Sequence, residues 1–578
     1  MRKAFLAYFA ALVISSPAYA NCEVGKLLEF KITMQGSRPL ADIGINGRTL
    51  PFIVDSGAFF STISPGTAQE LGLRLGFSPV QVRGVGGTAK TYLAQVNTVD
   101  LAGVPLHNVQ FIVAGSEFGA GGLLGQNILG IGDVEYDFGH GAIRIMRSRG
   151  CSAKDSLAYW AGQDPVSDLG IDPRDAAHPH TIGTIFLNGV RLRAVFDTGA
   201  GSSILSLQAA KRAGLTPSTP GVVPAGISRG VGRSMVATWL APIASVTIGT
   251  EEVRNIKLRM GDVGLTDADM LIGADFFLSH RVYVANTVRK LYFTYNGGPV
   301  FNTTPGRIID QAGNPETISA DRTPDPTDAA GFSRRGAAER SSRDYKAAVA
   351  DLNRAVAMDQ TNGRYLLERA RAQLLAGNRP AAFADLDEAV KVAPNDAEIR
   401  LARAESLFGR KRKEDALKDF EAVDAALPPQ ADQRLTVAAG FEQLDQFDKA
   451  ITNFDRWISA HPDDSRLPIA LNGRCWTRAL AGRELPLALK DCNAALRRVK
   501  AANFFDSRGL VELRMGQYDQ SIADYDAALK LNPRSAWSLY GRGLARRHKN
   551  DPTGQNDLST ALAIDPALAS RAQALGIS

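Results

Sequence analysis

The sequence predicts a multidomain protein with an all-β, two-lobed N-terminal half and an all-α, helical-repeat C-terminal half. A set of motifs occurs twice, in the same order, within the first 296 residues. Short alternating runs broken by Gly, Asn and Pro fill that same half, which is typical of strands. Beyond residue 336, Ala and Leu recur every three or four positions and proline recurs at a regular longer interval, which indicates stacked helix pairs.

The duplicated stretch is an apolar strand that runs into Asp-Ser-Gly or Asp-Thr-Gly. The first copy spans residues 52–58 (FIVDSGA) and the second spans residues 194–200 (AVFDTGA). Asp and Gly are ordinary turn formers after a strand, so one copy alone would indicate only a strand-end turn. Two copies inside a matching frame indicate an internal duplication.

The frame around each Asp motif repeats in order along the chain. Its paired parts are Asn46-Gly47 and Asn188-Gly189, Arg83–Gly86 and Arg229–Gly232, Leu123–Gly125 and Leu271–Gly273, and Ile143–Ile145 and Leu291–Phe293. A short polar residue, Asn127 or Asp275, follows each apolar-apolar-Gly stretch by two positions, and we interpret both as loop supports. The pattern predicts one lobe over 22–150 and an inter-lobe segment with a second lobe over 151–296.

The N-terminus predicts export. Residues 1–20 have a basic start, a short apolar run and a small-x-small end, the pattern of a cleaved secretory signal. We expect an exported protein without stable membrane insertion, in a bacterial periplasm or secreted. The net charge of +6 over 578 residues, with no basic run interleaved with aromatics, gives no support for nucleic-acid binding.

The four cysteines allow three disulfide connectivities, or none if all four are buried thiols. We favour Cys22–Cys151, which brackets the first lobe, and Cys475–Cys492, which would join neighbouring helices across a short loop. No Cys/His spacing suggests a metal site, and we expect no cofactor. Residues 297–335 are rich in Pro, Gly and Thr and predict an extended, mobile linker without strand or helix.

The C-terminal half resembles the tetratricopeptide repeat. Pro394, Pro428 and Pro462 are evenly spaced, at the period of that family, and the stretches 413–420 and 518–525 align with each other. We count six to seven units over 336–570, with the first incomplete. The resemblance implies a solenoid that binds a protein partner, without naming that partner.

The N-terminal half resembles the aspartic proteases, in particular the retropepsin-like branch. That family carries an apolar strand, Asp-Thr/Ser-Gly-Ala, a glycine-containing flap hairpin and a later apolar-apolar-Gly stretch. The resemblance implies that Asp55 and Asp197 form a catalytic dyad in one chain, which would act as a monomer. Support for the dyad would come from Ser56, Gly57, Thr198, Gly199, Gly125 and Gly273. The flaps would include Gly84, Val85, Gly86, Gly230, Val231 and Gly232.

Two functions follow as hypotheses. The first is an exported aspartic endopeptidase that hydrolyses a polypeptide with water activated between two carboxyls, the repeats recruiting substrate or partner. The second is an extracytoplasmic scaffold that binds a peptide or protein without cleaving it. The half-sites are predicted to be unequal, because Phe59-Phe60 follows the first motif whereas Gly201-Ser202 follows the second.

Overall fold

The computed structural model describes residues 22–84, 87–115, 120–162, 165–174, 179–228, 236–265, 267–301, 307–309, 324–408 and 412–577. The predicted signal sequence and the flap residues Val85, Gly86, Gly230, Val231 and Gly232 lie outside these residues. All the described strands lie before residue 310, and a run of helices follows. This confirms the predicted fold class: a β-rich N-terminal half and a helical-repeat C-terminal half.

Lobe 1 consists of short strands with two short helices between them. Its elements are β1 (Glu23–Gln35), β2 (Arg38–Ile45), β3 (Arg48–Val54), β4 (Thr62–Ile63), α1 (Pro65–Glu70), β5 (Leu75–Phe77), β6 (Val82–Gly84), β7 (Gly87–Ala89), β8 (Tyr92–Leu101), β9 (Val104–Val113), β10 (Gly122–Leu124), α2 (Gln126–Leu129), β11 (Asp133–Asp137) and β12 (Ala142–Arg149). The β2–β3 hairpin turns at Asn46 and Gly47, both with positive φ, which is the geometry that two-residue hairpin loops favour. Along β2, Ala41, Ile43 and Ile45 face the core at alternate positions.

Lobe 2 repeats this arrangement, down to the same turn at Asn188 and Gly189. Its elements are β13 (Ser167–Gly170), β14 (Ile182–Leu187), β15 (Val190–Phe196), β16 (Ile204–Ser206), α3 (Leu207–Arg212), β17 (Val223–Ser228), β18 (Val236–Ile248), β19 (Glu251–Gly261), β20 (Met270–Ile272), α4 (Ala274–Phe277), β21 (His280–Ala285), β22 (Lys290–Tyr295) and β23 (Arg307–Ile309). The segment between the lobes contains β13, which pairs antiparallel with β22.

One continuous sheet joins the two lobes beneath the cleft. Its strand order at this end is β13-β22-β21-β11-β12-β1. β11 of lobe 1 pairs antiparallel with β21 of lobe 2, with Glu135 opposite Tyr283. Val134 lies opposite Val284 and Tyr136 opposite Val282, so the pairing is symmetric about that central pair. A pseudo-twofold axis therefore relates the lobes.

The segment predicted as a linker contains regular structure, which corrects the prediction for residues 297–335. β23 pairs antiparallel with β19, and its Ile308 is buried, so even this short strand extends the lobe 2 sheet. The first repeat helix, α5, begins at Ala329, because the Asp328 side chain caps it by accepting the Gly331 N–H at 2.6 Å.

The helical half contains seven helix pairs and a last short helix in the residues that the structure describes. These are α5 (Ala329–Ser341), α6 (Tyr345–Met358), α7 (Gly363–Leu375), α8 (Arg379–Val392), α9 (Ala397–Ser406), α10 (Lys413–Ala426), α11 (Arg434–Gln443), α12 (Phe447–Ala460), α13 (Leu467–Ala481), α14 (Leu485–Arg498), α15 (Ala502–Arg514), α16 (Tyr518–Leu531), α17 (Ala536–His548), α18 (Gly554–Ile564) and α19 (Leu568–Ala574). The first unit, α5 with α6, is therefore a complete helix pair, contrary to the prediction.

The first repeat packs directly on the lobes. Ala338 of α5 belongs to the same buried cluster as the lobe cores. The Arg340 guanidinium donates to the Met34 carbonyl at 3.2 Å, and the Ser342 hydroxyl donates to the Leu278 carbonyl at 3.4 Å. Because Met34 belongs to lobe 1 and Leu278 to lobe 2, the repeat domain begins against both lobes.

Two disulfides close the fold, Cys22–Cys151 and Cys475–Cys492. The first joins the start of β1 to the segment beyond β12, and the second joins α13 to α14. These are the two pairs that the sequence favoured. Among the described helices, none is both long and apolar enough to cross a membrane.

Candidate active site

Each Asp of the duplicated motif ends a buried strand that lies parallel to a second strand. β3 pairs parallel with β10 before Asp55, and β15 pairs parallel with β20 before Asp197. The Asp55 N–H donates to the Leu124 carbonyl at 3.0 Å, and the Asp197 N–H donates to the Ile272 carbonyl at 2.8 Å. Both carboxyls are therefore held at the end of a fixed strand pair.

The two carboxyls meet between the lobes. They share a hydrogen bond, and each accepts a bond from its own loop. The N–H groups of Gly57 and Gly199 donate to Oδ1 of Asp55 and Asp197, each at 2.9 Å. A Cβ atom added at Gly57 would lie 2.3 Å from Cγ of Asp197, and one added at Gly199 would lie 2.2 Å from Cγ of Asp55. Only glycine leaves room for the opposite carboxyl.

Crossed hydrogen bonds lock the two Asp loops together. The Ser56 hydroxyl donates to the Phe196 carbonyl at 2.8 Å and accepts the Thr198 N–H at 2.9 Å. In return, the Thr198 hydroxyl donates to the Val54 carbonyl at 2.7 Å and accepts the Ser56 N–H at 3.0 Å. Ser56 and Thr198 are both buried, so each lobe satisfies backbone groups that the other would leave unpaired.

The pKa values of both carboxyls are raised. Burial raises the pKa of Asp55 well above its ordinary value, and the neighbouring Asp197 raises it further. Burial also raises the pKa of Asp197, while the hydrogen bond from Asp55 opposes that rise. Two carboxyls this close do not both ionise cheaply, so one shared proton is the favoured state over a range of pH. The pair can thus offer an acid and a base at once.

The apolar-apolar-Gly stretches support the Asp loops from below. The Gly125 N–H donates to Ser61 Oγ at 2.9 Å, and a Cβ at Gly125 would lie 2.7 Å from the Phe60 backbone. The Gly273 N–H donates to Ser203 Oγ at 2.9 Å, and a Cβ there would lie 2.6 Å from the Ala200 carbonyl. Both glycines therefore let the strand pass directly beneath the loop.

The polar residue after each of these glycines completes the support. In lobe 1, Asn127 Oδ1 accepts the N–H of Ser61 at 2.7 Å and its hydroxyl at 2.8 Å. In lobe 2, Asp275 accepts the N–H of Ser203 at 2.9 Å and its hydroxyl at 2.7 Å. Burial raises the pKa of Asp275 to about 6. Neither residue lines the cleft, so the structure agrees with their interpretation as loop supports.

A cleft of about 1000 Å³ opens over the dyad. On the lobe 2 side part of its wall is an aliphatic cluster of Ile182, Val195, Ile204, Val263 and Leu271, and polar residues, Arg259 among them, line the rest. On the lobe 1 side Phe59 and Phe60 stand together, with ring centroids 4.3 Å apart, where lobe 2 has Gly201 and Ser202. Gly84, at the end of the described part of the β6–β7 flap hairpin, also lines the cleft. The two halves of the cleft therefore differ in shape.

Family models match both halves of the chain. A model described as aspartyl protease matches residues 41–131, and one described as a putative aspartyl protease of gag polyproteins matches residues 184–279. Each match contains one Asp motif. Models of tetratricopeptide repeats match residues 367–431 and 509–546. The chain joins two aspartyl-protease-like lobes to tetratricopeptide repeats.

Single relatives match the repeats. Human Tetratricopeptide repeat protein 6 is 28% identical over 122 residues, which is 21% of this chain and 23% of that protein. Among solved structures, the APC/C hetero-tetramer Cut9-Hcn1 has 16% identity and a TM-score of 0.33, over 44% of this chain and 49% of that one. PilW, a type IV pilus biogenesis factor, has 20% identity and a TM-score of 0.31, over 36% and 96%. At these TM-scores neither structure supports a functional conclusion.

Sequence reasoning missed several residues around the aspartyl-protease-like dyad. The Gln126 side chain donates to the Ser56 carbonyl at 2.7 Å and is itself held by Arg174 at 2.7 Å. Arg38 and His180 both line the cleft. They precede Asp55 and Asp197 by the same number of positions, and that equal spacing was the signal that could have revealed them. Nothing in the sequence pattern marks Gln126 or Arg174.

Proposed function

We propose that the chain is an aspartic endopeptidase whose dyad is Asp55 and Asp197. The observation that carries this proposal is the hydrogen bond between two partly exposed carboxyls from equivalent loops, at the floor of an open cleft. Gly57 and Gly199 leave space for the carboxyl of the opposite lobe. If both Asp residues only ended their own strands, this space would not be needed.

The chemistry follows from one shared proton. The ionised carboxyl accepts a proton from a water molecule held between the two groups, and the water oxygen attacks the carbonyl carbon of the scissile peptide bond. The protonated carboxyl donates to the carbonyl oxygen as negative charge develops there. Collapse of the tetrahedral diol breaks the C–N bond: the leaving nitrogen takes a proton from one carboxyl, and a diol hydroxyl returns its proton to the other carboxyl as the product carbonyl forms. The dyad ends with one proton, as it began.

The cleft supports an extended polypeptide as substrate. Apolar side chains from both lobes line the cleft beside polar groups such as Arg38, His180 and Arg259. The hairpins β6–β7 and β17–β18 would cover a bound strand. Apolar side chains on both sides of the scissile bond suit these walls, with less room beside Phe59 and Phe60 than beside Gly201 and Ser202.

The repeats would hold a protein partner or substrate near the cleft. Tetratricopeptide repeats support a protein-interaction role in general, and α5 packs against both lobes, so a bound partner would be kept close to the dyad. We also propose that the chain is exported and acts as a monomer. Its two disulfides are compatible with an oxidising compartment.

The test is cleavage of an unstructured protein by the mature chain from about pH 3 to about pH 8, a range that spans the titration of paired carboxyls. We expect cleavage by the wild type and a loss of about 100- to 10,000-fold in Asp55→Asn and in Asp197→Asn. Asp100→Asn, on an exposed strand end away from the cleft, is the matched control and should retain full activity. Equal inertness of all four proteins towards several substrates would overturn the proposal and favour a binding scaffold.

A further inference from the structure

His180 lies in the cleft on the lobe 2 side, at the position where lobe 1 has Arg38. Each precedes the Asp of its own lobe by the same number of positions, so the duplication gives both lobes a basic side chain at one equivalent place. The guanidinium of Arg38 stays charged at every pH of interest, whereas the charge of an imidazole depends on pH. The two lobes thus differ in how their basic group responds to acid.

The imidazole contacts the Asp loop of the opposite lobe. Its ring packs edge-on against Phe59, with centroids 6.5 Å apart and an angle of 78° between the planes. It also shares a hydrogen bond with the backbone of Gly57. That contact favours the protonated ring, as a carbonyl acceptor does. Because the Asp197 carboxyl lies directly against Gly57, the imidazole is held beside the dyad.

Charged groups face His180 from each element around it. Asp197 lies on its own lobe's Asp loop, with Asp55 sharing the dyad proton. Arg174 comes from the segment before β14, and Asp267 comes from the loop before β20. Burial lowers the pKa of His180 below its ordinary value, and the charge of Asp197 opposes that fall. The ring is therefore neutral near pH 7 and gains its proton in acid.

We propose that His180 is a positioning residue that, once protonated, stabilises the remaining negative charge of the dyad and so extends activity to lower pH. The proposal rests on the proposed protease function. A positive charge near a carboxylate favours its ionised form. In acid, when the dyad would otherwise take up its second proton and lose its base, the imidazolium opposes that step. At higher pH the neutral ring leaves the second ionisation unaffected.

The test is the pH profile of peptide cleavage by the full chain. His180→Gln keeps a hydrogen-bond donor for Gly57 and removes the titratable charge, so we expect the acid limit of activity to rise by about one pH unit with the alkaline limit unchanged. His180→Arg carries a permanent positive charge, so its acid limit should stay low. Its alkaline limit should fall, because a charge that persists at higher pH also favours loss of the dyad's last proton. His107→Gln, on the exposed part of β9, is the matched control and should reproduce the wild-type profile.

Two outcomes overturn the inference without touching the proposed function. One is a His180→Gln profile that coincides with the wild type, and the other is an equal shift of both limits in His180→Gln. In either case a dead Asp55→Asn would keep the protease assignment. If the wild type cleaves nothing, the difference in thermal midpoint between wild type and Asp55→Asn, followed against pH, reports the dyad proton directly. The same difference is then measured between His180→Gln and the double variant His180→Gln with Asp55→Asn. If its dependence on pH is unchanged, the proposed role of His180 is refuted.

Discussion

Lobe 1 and lobe 2 contribute equal parts to the dyad and unequal parts to the cleft around it. The hydroxyls of Ser56 and Thr198 make the same two bonds in opposite directions, with nearly equal lengths in equivalent pairs. Around them, Phe59 corresponds to Gly201 of the other lobe, and Arg38 corresponds to His180. The comparison teaches that the two lobes are equivalent in the hydrogen bonds that hold the two carboxyls together. They differ in the cleft walls, which are the surfaces that a substrate would contact.

The largest loss of activity is expected at Gly57 and Gly199, the two equivalent glycines that leave space for the carboxyls. Gly57→Ala or Gly199→Ala puts a Cβ atom within 2.3 Å of the opposite carboxyl, so the loops must move apart. We expect each variant to lose activity by at least about 100-fold, since a displacement of about 1 Å has that effect on a catalytic group. Peptide cleavage rates measure it.

The control for this comparison is Gly170→Ala in β13. A Cβ atom there has open space around it, and its φ is not in the left-handed region. It should leave the rate unchanged. Retention of full activity in both Gly57→Ala and Gly199→Ala would contradict the close approach of the carboxyls.

The crossed hydroxyls come next. Ser56→Ala strands the Phe196 carbonyl and the Thr198 N–H, and Thr198→Val strands the Val54 carbonyl and the Ser56 N–H. Each buried group left unpaired costs about 1–3 kcal/mol. We expect both variants to lower the midpoint of the thermal transition of the β-rich half by similar amounts, as near-ultraviolet circular dichroism would record. A loss confined to one variant would show that the lock is not reciprocal.

A smaller effect separates the two loop supports, Asn127 and Asp275. The native pKa of Asp275 is about 6, above the value of about 3.9 for an unfolded chain, so the folded state holds its proton more tightly. That contribution to stability is fully present below about pH 4 and is lost as pH rises through about 6. Asp275→Asn, which copies the counterpart in lobe 1, should therefore stabilise the protein above about pH 6 by about 1–2 kcal/mol.

Urea unfolding at about pH 4 and about pH 7 measures this difference in the free energy of unfolding. The reverse variant, Asn127→Asp, is the matched comparison. Because residue 127 is exposed whereas Asp275 is buried, burial does not raise the pKa of the new carboxyl, and this variant should introduce little pH dependence. If Asp275→Asn changes the free energy of unfolding equally at both pH values, folding does not raise the pKa of Asp275.

The smallest effect concerns the asymmetric cleft walls. Replacing the aromatic pair with its counterparts from the second lobe, Phe59→Gly with Phe60→Ser, opens one half of the cleft. We expect the double variant to accept larger side chains on one side of the scissile bond. Peptides that carry such side chains there should be cleaved about tenfold faster than by the wild type. Mass spectrometry of a cleaved peptide library reads the positions. A change on both sides of the bond would contradict the assignment of the aromatic pair to one half-site.

The duplication explains why so much of the dyad could be predicted. The equivalence of Ser56 and Thr198 is visible by counting along the chain, and residues that serve one site from two equivalent loops leave two equivalent patterns. The repeats were predictable for a related reason, since their period shows itself several times. In both cases a local pattern carries information about a distant partner.

What the sequence left unpredicted depends on contacts with no local pattern. β23 is very short and becomes a strand only because the edge of β19 accepts it. α5 has mostly small and polar residues, and it packs because Ala338 joins the buried cluster that the lobes form. Gln126, the first residue of α2, donates to the Ser56 carbonyl, which is far away in the sequence. This contact depends on how α2 packs beside the Asp55 loop, and no local pattern indicates it.

The central claim is that two Asp residues of one chain form one dyad, and mixing two inactive variants tests it most directly. Asp55→Asn and Asp197→Asn are purified separately, then combined in equal amounts and assayed for peptide cleavage beside the wild type. A dyad within one chain predicts that the mixture stays as inactive as its components. Return of activity on mixing would contradict the claim, because it would show that carboxyls from two chains build the site.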